Sequence, residues 1–206
     1  MQFDLFELDD EITDKTLDLP SGFRYVPNFV KEKAADDAFE YLFYNLTWQQ
    51  PRVEVYGKLH LVPRLQCWMG NIGMHYQYSG KLFKAVDWDP YVLDVKTQVE
   101  KLVGKEFNSA LVNLYRDGND KMGWHADDEK ELGPSPAVVT VSFGAQRNFQ
   151  VKHNDLAETI NIELGHGSLL LMQPGVQASY KHAVPARKKV TQGRISLTFR
   201  NILQSD

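Results

Sequence analysis

From Asn108 onward the 206-residue chain is divided into short β-rich segments, and that division limits its possible folds more than anything else in the sequence. The segments run Ser109–Tyr115, Val138–Phe143, Asn148–Lys152, Thr159–Leu164, Ser168–Met172 and Ile195–Ile202, with Gly, Pro, Asn and Asp in the gaps. A lone strand of this length has no independent stability, so several must pair and bury a face against a second layer. Many short strands punctuated by turn residues favour a sandwich, jelly roll or barrel.

The preceding third is mixed. Phe23–Phe29 reads as extended, and Lys31–Asn45 as a helix, with Ala34, Ala38, Tyr41, Leu42 and Asn45 at three- and four-residue spacings and Pro51 closing the region. Val53–Val62 alternates around Gly57, the pattern of a hairpin with Gly57 at its turn. Asp89–Val103 reads as a second helix, with Pro90 in its first turn and Gly104 just past its end. The expected class is α+β: N-terminal helices and a hairpin region over 21–107, packed on an all-β core over 108–206. Residues 21–206 are expected to form one domain behind an acidic arm at 1–20.

Composition supports one globular core, at 43% hydrophobic and 24% charged residues. A single cysteine, Cys67, excludes an intramolecular disulfide framework and any multi-cysteine zinc site. The acidic N-terminus lacks the positive start of a secretory signal, and no apolar run reaches membrane-spanning length. A reducing compartment is expected: cytoplasm, or nucleus in a eukaryote. The net charge of −4 is unevenly placed. Residues 1–20 carry seven acids against one lysine, whereas Ala178–Leu203 carries six Lys or Arg and no acid. Between Arg52 and Val86 five basic residues face only Glu54. Local basic surface favours phosphate contact despite a negative total, although the same pattern suits an ordinary solvated face.

The chemistry-bearing residues gather around Gly123-Trp-His125-Ala-Asp127-Asp128-Glu129. On an extended strand His125 and Asp127 leave the same face, and a distal imidazole, His182, completes two histidines and a carboxylate. That set leaves metal positions open, as in non-haem Fe(II) oxygenases; the alternative is a turn of solvated charge. Asn113 and Tyr115 share a face of the strand leading towards the pair. Arg194, Ser196, Thr198 and Arg200 share a face of the last strand, opposite Ile195, Leu197 and Phe199. Arginines facing inward are costly unless they meet anions, and guanidinium forks suit carboxylates.

Together, His125-x-Asp127, His182, Arg194-x-x-x-x-x-Arg200 and Asn113-x-Tyr115 resemble the AlkB family of Fe(II)/2-oxoglutarate dioxygenases. The resemblance covers nearly all of the chain after residue 20. It is nearest the duplex-DNA repair branch through Val55-Tyr-Gly-Lys58, Val62-Pro-Arg64, Tyr76-Gln-Tyr78-Ser-Gly80, His125-Ala-Asp-Asp-Glu129 and Val141-Ser-Phe-Gly-Ala145. It implies a double-stranded β-helix (jelly roll) with Fe(II) held by His125, Asp127 and His182. Asn113, Tyr115, Arg194, Thr198 and Arg200 would bind 2-oxoglutarate, and O2 would complete the reactants. The implied reaction hydroxylates an N-methyl group on 1-methyladenine or 3-methylcytosine, releasing formaldehyde, succinate and CO2.

The resemblance also implies base flipping, with Tyr78 and the His125 ring sandwiching the extruded base. Tyr76, Asp128 and Glu129 would contact its polar edge, and Gln77 is counted among the substrate-binding residues. Tyr56, Gly57 and Lys58 would probe the stack, with Tyr56 standing where the duplex pattern has an apolar aromatic wedge. Arg64 would support the flipped state or a nearby phosphate. Lys181, Arg187, Lys188 and Lys189 are candidate phosphate contacts that position without specifying sequence. Alkylated DNA, single- or double-stranded, is the expected partner of a monomeric enzyme. The rival readings are the same chemistry on RNA, and a nucleic-acid-binding jelly roll without catalysis.

Overall fold

The computed structural model describes residues 19–55, 57–71, 75–78 and 81–203. Tyr56 and most of the acidic arm lie outside these residues. In chain order the elements are β1 (Phe23–Val26), α1 (Glu32–Asn45), β2 (Arg52–Val55), β3 (Lys58–Leu61), β4 (Leu65–Gly70), β5 (His75–Tyr78), β6 (Lys81–Lys84), α2 (Pro90–Val103), β7 (Ser109–Tyr115) and β8 (Met122–His125). A 3₁₀ turn at Lys130–Leu132 follows, then β9 (Val138–Gly144), β10 (Arg147–His153), β11 (Ile160–Leu164), β12 (Ser168–Met172), α3 (Val176–Ser179), β13 (Tyr180–Val184) and β14 (Arg194–Arg200).

Two antiparallel sheets make the jelly roll. The larger has the order β1-β12-β9-β14-β7-β4 and the smaller β11-β10-β13-β8. β2–β3 and β5–β6 are separate hairpins, the first turning at Gly57, whose φ of 74° suits glycine. The large sheet is buried on both faces, which is why its strands read as nearly continuous apolar runs. Val139, Val141, Phe143, Ile195, Leu197 and Phe199 join the core that contains Ala35, Ala38 and Leu42 of α1 and Val92, Val95 and Val99 of α2. The alternate residues turn inward: Tyr115, Val138, Leu170 and Met172 meet Phe149, Val151, Ile162 and Leu164 of the small sheet. Asn113, Thr140, Arg194, Ser196, Thr198 and Arg200 share that inward side around a cavity. The polar residues of β14 therefore face the space between the sheets.

Both helices lie where expected, for local reasons. Asp89 accepts the Tyr91 and Val92 amides, Pro90 opens α2, and Gly104 closes it at φ 68°. α1 buries Ala35 rather than Ala34 and stops at Leu46, which is already extended, well before Pro51. β1 is shorter than the expected Phe23–Phe29, because Asn28 takes a φ of 53° and Val30 then bonds to Gly167. β14 ends at Arg200 instead of Ile202, because the Asn108 side chain takes both main-chain groups of Ile202, at 2.7 and 2.8 Å. β4, β5, β6, β8 and β13 are strands that the segment pattern did not delimit.

Candidate active site

Three elements assemble the triad. β8 and β13 pair so that His125 stands directly across from His182. Their rings are 4.2 Å apart between centroids, and His182 also stacks on Phe149 at 5.0 Å and 22°. β8 ends at His125, so Asp127 lies in the bend beyond it rather than one pleat along a strand, a correction to the shared-strand reading. The bend is held by Gln177 of α3, whose Oε1 accepts the Asp127 amide at 2.9 Å. Ligand atoms of His125, Asp127 and His182 all fall within 4.8 Å of one another.

The donor set suits a divalent cation. His125 Nδ1 lies 2.9 Å from the Gly123 carbonyl; donation there frees Nε2 as a ligand. His182 is pushed down to about 3, mainly by burial against the partly opposing Asp127 charge, so its ring is neutral as ligation requires. Burial pulls the Asp127 carboxyl up, but Arg200 and then the two histidines outweigh it and hold it below its ordinary value. Asp127 Oδ1 pairs with Arg200, while the buried Oδ2 has no hydrogen-bond partner and lies 3.6 Å from His182 Nε2. An orphaned carboxylate oxygen beside the His125 and His182 imidazoles is the arrangement a cation would complete.

The two arginines have separate surroundings. Arg194, 1% exposed, donates from Nη2 to Ser142 Oγ at 2.9 Å and lies 5.2 Å over the Tyr115 ring. Its Nε and Nη1 are buried without a hydrogen-bond partner, and burial lowers its pKa. A buried guanidinium with two unused donor nitrogens suits a carboxylate. Asn113 Oδ1 accepts from Arg64 Nε at 2.8 Å and from Gln66 Nε2 at 3.2 Å, so its amide nitrogen is left for the cavity. Thr198 lines the same cavity.

A groove of about 530 Å³ opens from His125, Asp127 and Arg200 between the β2–β3 region and β8. Pro51, Val53, Val62, Trp68, Trp124 and Leu132 supply apolar wall, and Glu129 supplies a carboxylate whose buried Oε2 has no hydrogen-bond partner. The expected acids thus separate: Glu129 lines the groove, whereas Asp128 is exposed and is not among its lining residues. Arg64 also lines it, buried and bonded to Asn113 rather than standing free on the outer surface. Gly57 and Lys58 are exposed at the hairpin turn. Tyr76, Gln77 and Tyr78 lie on β5, and the contacts expected of their side chains lie outside what is described.

Sequence reasoning missed Gln177, Phe149 and Arg147. Arg147, 1% exposed, donates to the carbonyls of Asp117, Asp120 and Pro185 and lies 5.6 Å over the Tyr115 ring. No local pattern marks these residues, since their partners are distant in sequence.

A family profile, the 2OG-Fe(II) oxygenase superfamily, matches residues 22–200. The chain is 41% identical over 160 residues to mouse (Mus musculus) DNA oxidative demethylase ALKBH2, covering 74% of this chain and 67% of that protein. It is 36% identical over 196 residues to the bovine (Bos taurus) alpha-ketoglutarate-dependent dioxygenase alkB homolog 3, covering 89% and 68%. Across such relatives from mouse, cattle and human, the matched stretch spans 58–68% of their length. The solved structure titled OsALKBH1 superimposes at a TM-score of 0.61 with 18% identity, covering 89% of this chain and 99% of that one, a likeness of fold. The triad, the unpaired Arg194 donors and these matches lead to one conclusion: the chain belongs to the AlkB family of the 2OG-Fe(II) oxygenase superfamily.

Proposed function

We propose that this protein is an oxidative demethylase of N-alkylated bases in DNA, acting on 1-methyladenine and 3-methylcytosine. The observation that carries the reading is the groove, which joins an open metal triad to an unpartnered carboxylate, Glu129, within reach of an inserted base. Relatives named DNA oxidative demethylase support the substrate class.

In this reading His125, Asp127 and His182 hold Fe(II). With 2-oxoglutarate and O2 the metal supplies the oxidative chemistry, yielding succinate and CO2 while the N-methyl group becomes a hydroxymethyl group that leaves as formaldehyde. Arg194 offers Nε and Nη1 to a cosubstrate carboxylate, with Asn113, Tyr115 and Thr198 forming its bed. Arg200 holds the Asp127 carboxylate through Oδ1 so that Oδ2 is presented to the metal, and its buried, unpartnered Nε is left for the cosubstrate. Glu129 accepts from the polar edge of the base, and its negative charge favours the cationic methylated form over the repaired one. The hairpin at Gly57 and Lys58, with Tyr56 and Arg64, and β5 with Tyr76, Gln77 and Tyr78, present the extruded base. Asp128, outside the groove, supports the rim. The residues from 21 onward act as one catalytic unit and as a monomer, in a reducing compartment. No described helix is long and apolar enough to cross a membrane.

The test is formaldehyde and succinate release from 1-methyladenine in single-stranded DNA, duplex DNA and RNA. Stoichiometric formaldehyde from DNA is expected. Succinate without formaldehyde from every methylated strand would reject the substrate class, and preference for RNA would reassign it.

A further inference from the structure

Trp124 is the residue immediately before His125, and it lines the groove that leads to the triad. Its side chain is 45% exposed, a large loss of burial for an indole. Trp48 and Trp88 donate their indole N–H groups to the Phe43 carbonyl and to Asn71 Oδ1. The Trp124 side chain makes no hydrogen bond or ring contact to any other described residue. Its ring is therefore open to solvent along the groove.

The groove's dimensions point the same way. At about 530 Å³ it exceeds the need of one nucleobase several times over, and its apolar wall runs past the metal-facing end to Pro51, Val53 and Val62. A base brought to His125 arrives on a strand, so its neighbours pass the groove mouth with it. In a single strand, extrusion leaves the adjacent base without one stacking partner, and an exposed aromatic face replaces it without regard to base identity. In a duplex that neighbour stays paired to the opposite strand, which restrains it from turning onto an aromatic face outside the helix.

We propose that Trp124 is a stacking platform for the base next to the damaged one, a second subsite that favours single-stranded substrates. This rests on the demethylase reading and specifies the strand form that the same site takes. Loss of one base stacked on an aromatic side chain should cost roughly tenfold in KM, about 1.4 kcal/mol.

The test uses single-stranded oligonucleotides carrying one 1-methyladenine, either with intact neighbours or with an abasic residue on the 5′ or 3′ side. In the wild-type protein one abasic neighbour should raise KM about tenfold. Trp124→Ala should raise KM equally on the intact strand and add nothing further on that abasic strand, while Trp124→Phe should keep most of the wild-type value. Losses that add, or no loss in Trp124→Ala, would overturn the proposal. If the alanine variant does not fold, Trp124→Phe against Trp124→Leu makes the same comparison, because both are bulky and apolar and only one stacks. Titration with an unmodified single strand should quench tryptophan fluorescence in the wild type and less in Trp124→Phe. This binding readout requires no turnover, so a failure of the demethylase reading, seen as no formaldehyde from any strand, is distinguishable from a failure of the platform.

Discussion

Arg194 carries a full charge into the interior with two of its N–H groups unused, and such a group weakens the empty protein while serving the loaded one. Replacing Arg194 with Met removes the orphan donors and keeps most of the bulk. The metal-free variant is expected to unfold at the same or a higher urea concentration than the wild type. Its affinity for 2-oxoglutarate should fall by about 2–5 kcal/mol, at least thirtyfold, because a carboxylate bound there would lose its buried partner. Denaturant titration and isothermal titration with 2-oxoglutarate read the two effects separately; equal affinity in both proteins would remove Arg194 from the cosubstrate site. Cys67 gives a simpler case. Burial pushes its thiol up to about 11, so a thiol reagent at pH 8 should label it only after denaturation. Rapid labelling of the folded protein would show that β4 opens readily. The sequence revealed the residues of the triad but not their geometry: His125 and Asp127 share a side through a bend held by Gln177, a contact fifty residues distant.

At the scale of elements, two loops that flank the cavity are clasped together. The Gly118 amide donates to the Val190 carbonyl at 2.7 Å, and the Arg187 amide donates to the Gly118 carbonyl at 2.7 Å. A Cβ on Gly118 would overlap the Arg187 carbonyl, so Gly118→Ala must part the loops. A loss of about 1–3 kcal/mol is expected, and under the proposed function it should come with weaker binding to nucleic acid, since the candidate phosphate contacts Arg187, Lys188 and Lys189 lie in the displaced segment. Asp120 secures the same clasp by accepting from the Arg116 side chain and amide at 2.8–2.9 Å. Burial pushes the Asp120 carboxyl up, yet Arg116 outweighs it and the pKa is lowered from 3.8. The folded value lies below the unfolded one, so the stabilisation is complete above about pH 4 and disappears as pH falls through the folded value. Asp120→Asn should therefore cost about 1.5–3 kcal/mol at pH 7 and progressively less in acid, measured by urea unfolding across pH. Helices and most strands were legible because capping, turn residues and apolar runs are local. β8 and β13 were not, since each is a short run whose pairing depends on the opposite strand.

Across the whole molecule, the site spans the two sheets, and this makes ligand binding a property of the fold. His125 and His182 come from the small sheet, while Asn113, Tyr115, Arg194, Thr198 and Arg200 come from the large one. The jelly roll itself was legible from the succession of short strands, and the two-faced burial of β9 and β14 explains why: one set of alternating residues meets the helices and the other lines the cavity. The sequence could not show that a direct tie between the halves of the site is the Arg200–Asp127 ion pair, which joins β14 to the bend after β8. A metal bound to the small-sheet histidines and a cosubstrate bound to Arg194 would add a second, stronger tie through the metal itself. Either ligand alone fastens mainly one side, so the two together should stabilise more than the sum of their separate effects. A ligand at a hundred times its dissociation constant contributes about 2.7 kcal/mol, or about 5–10 °C for a domain of this size. Thermal unfolding under anaerobic conditions with Fe(II), with 2-oxoglutarate and with both should show that excess. Hydrogen exchange should slow in β8, β13 and β14 together only when both are present. Shifts that merely add, with protection confined to one sheet, would mean that the two halves bind their ligands independently and that the Arg200–Asp127 pair already holds them as firmly as the reaction needs.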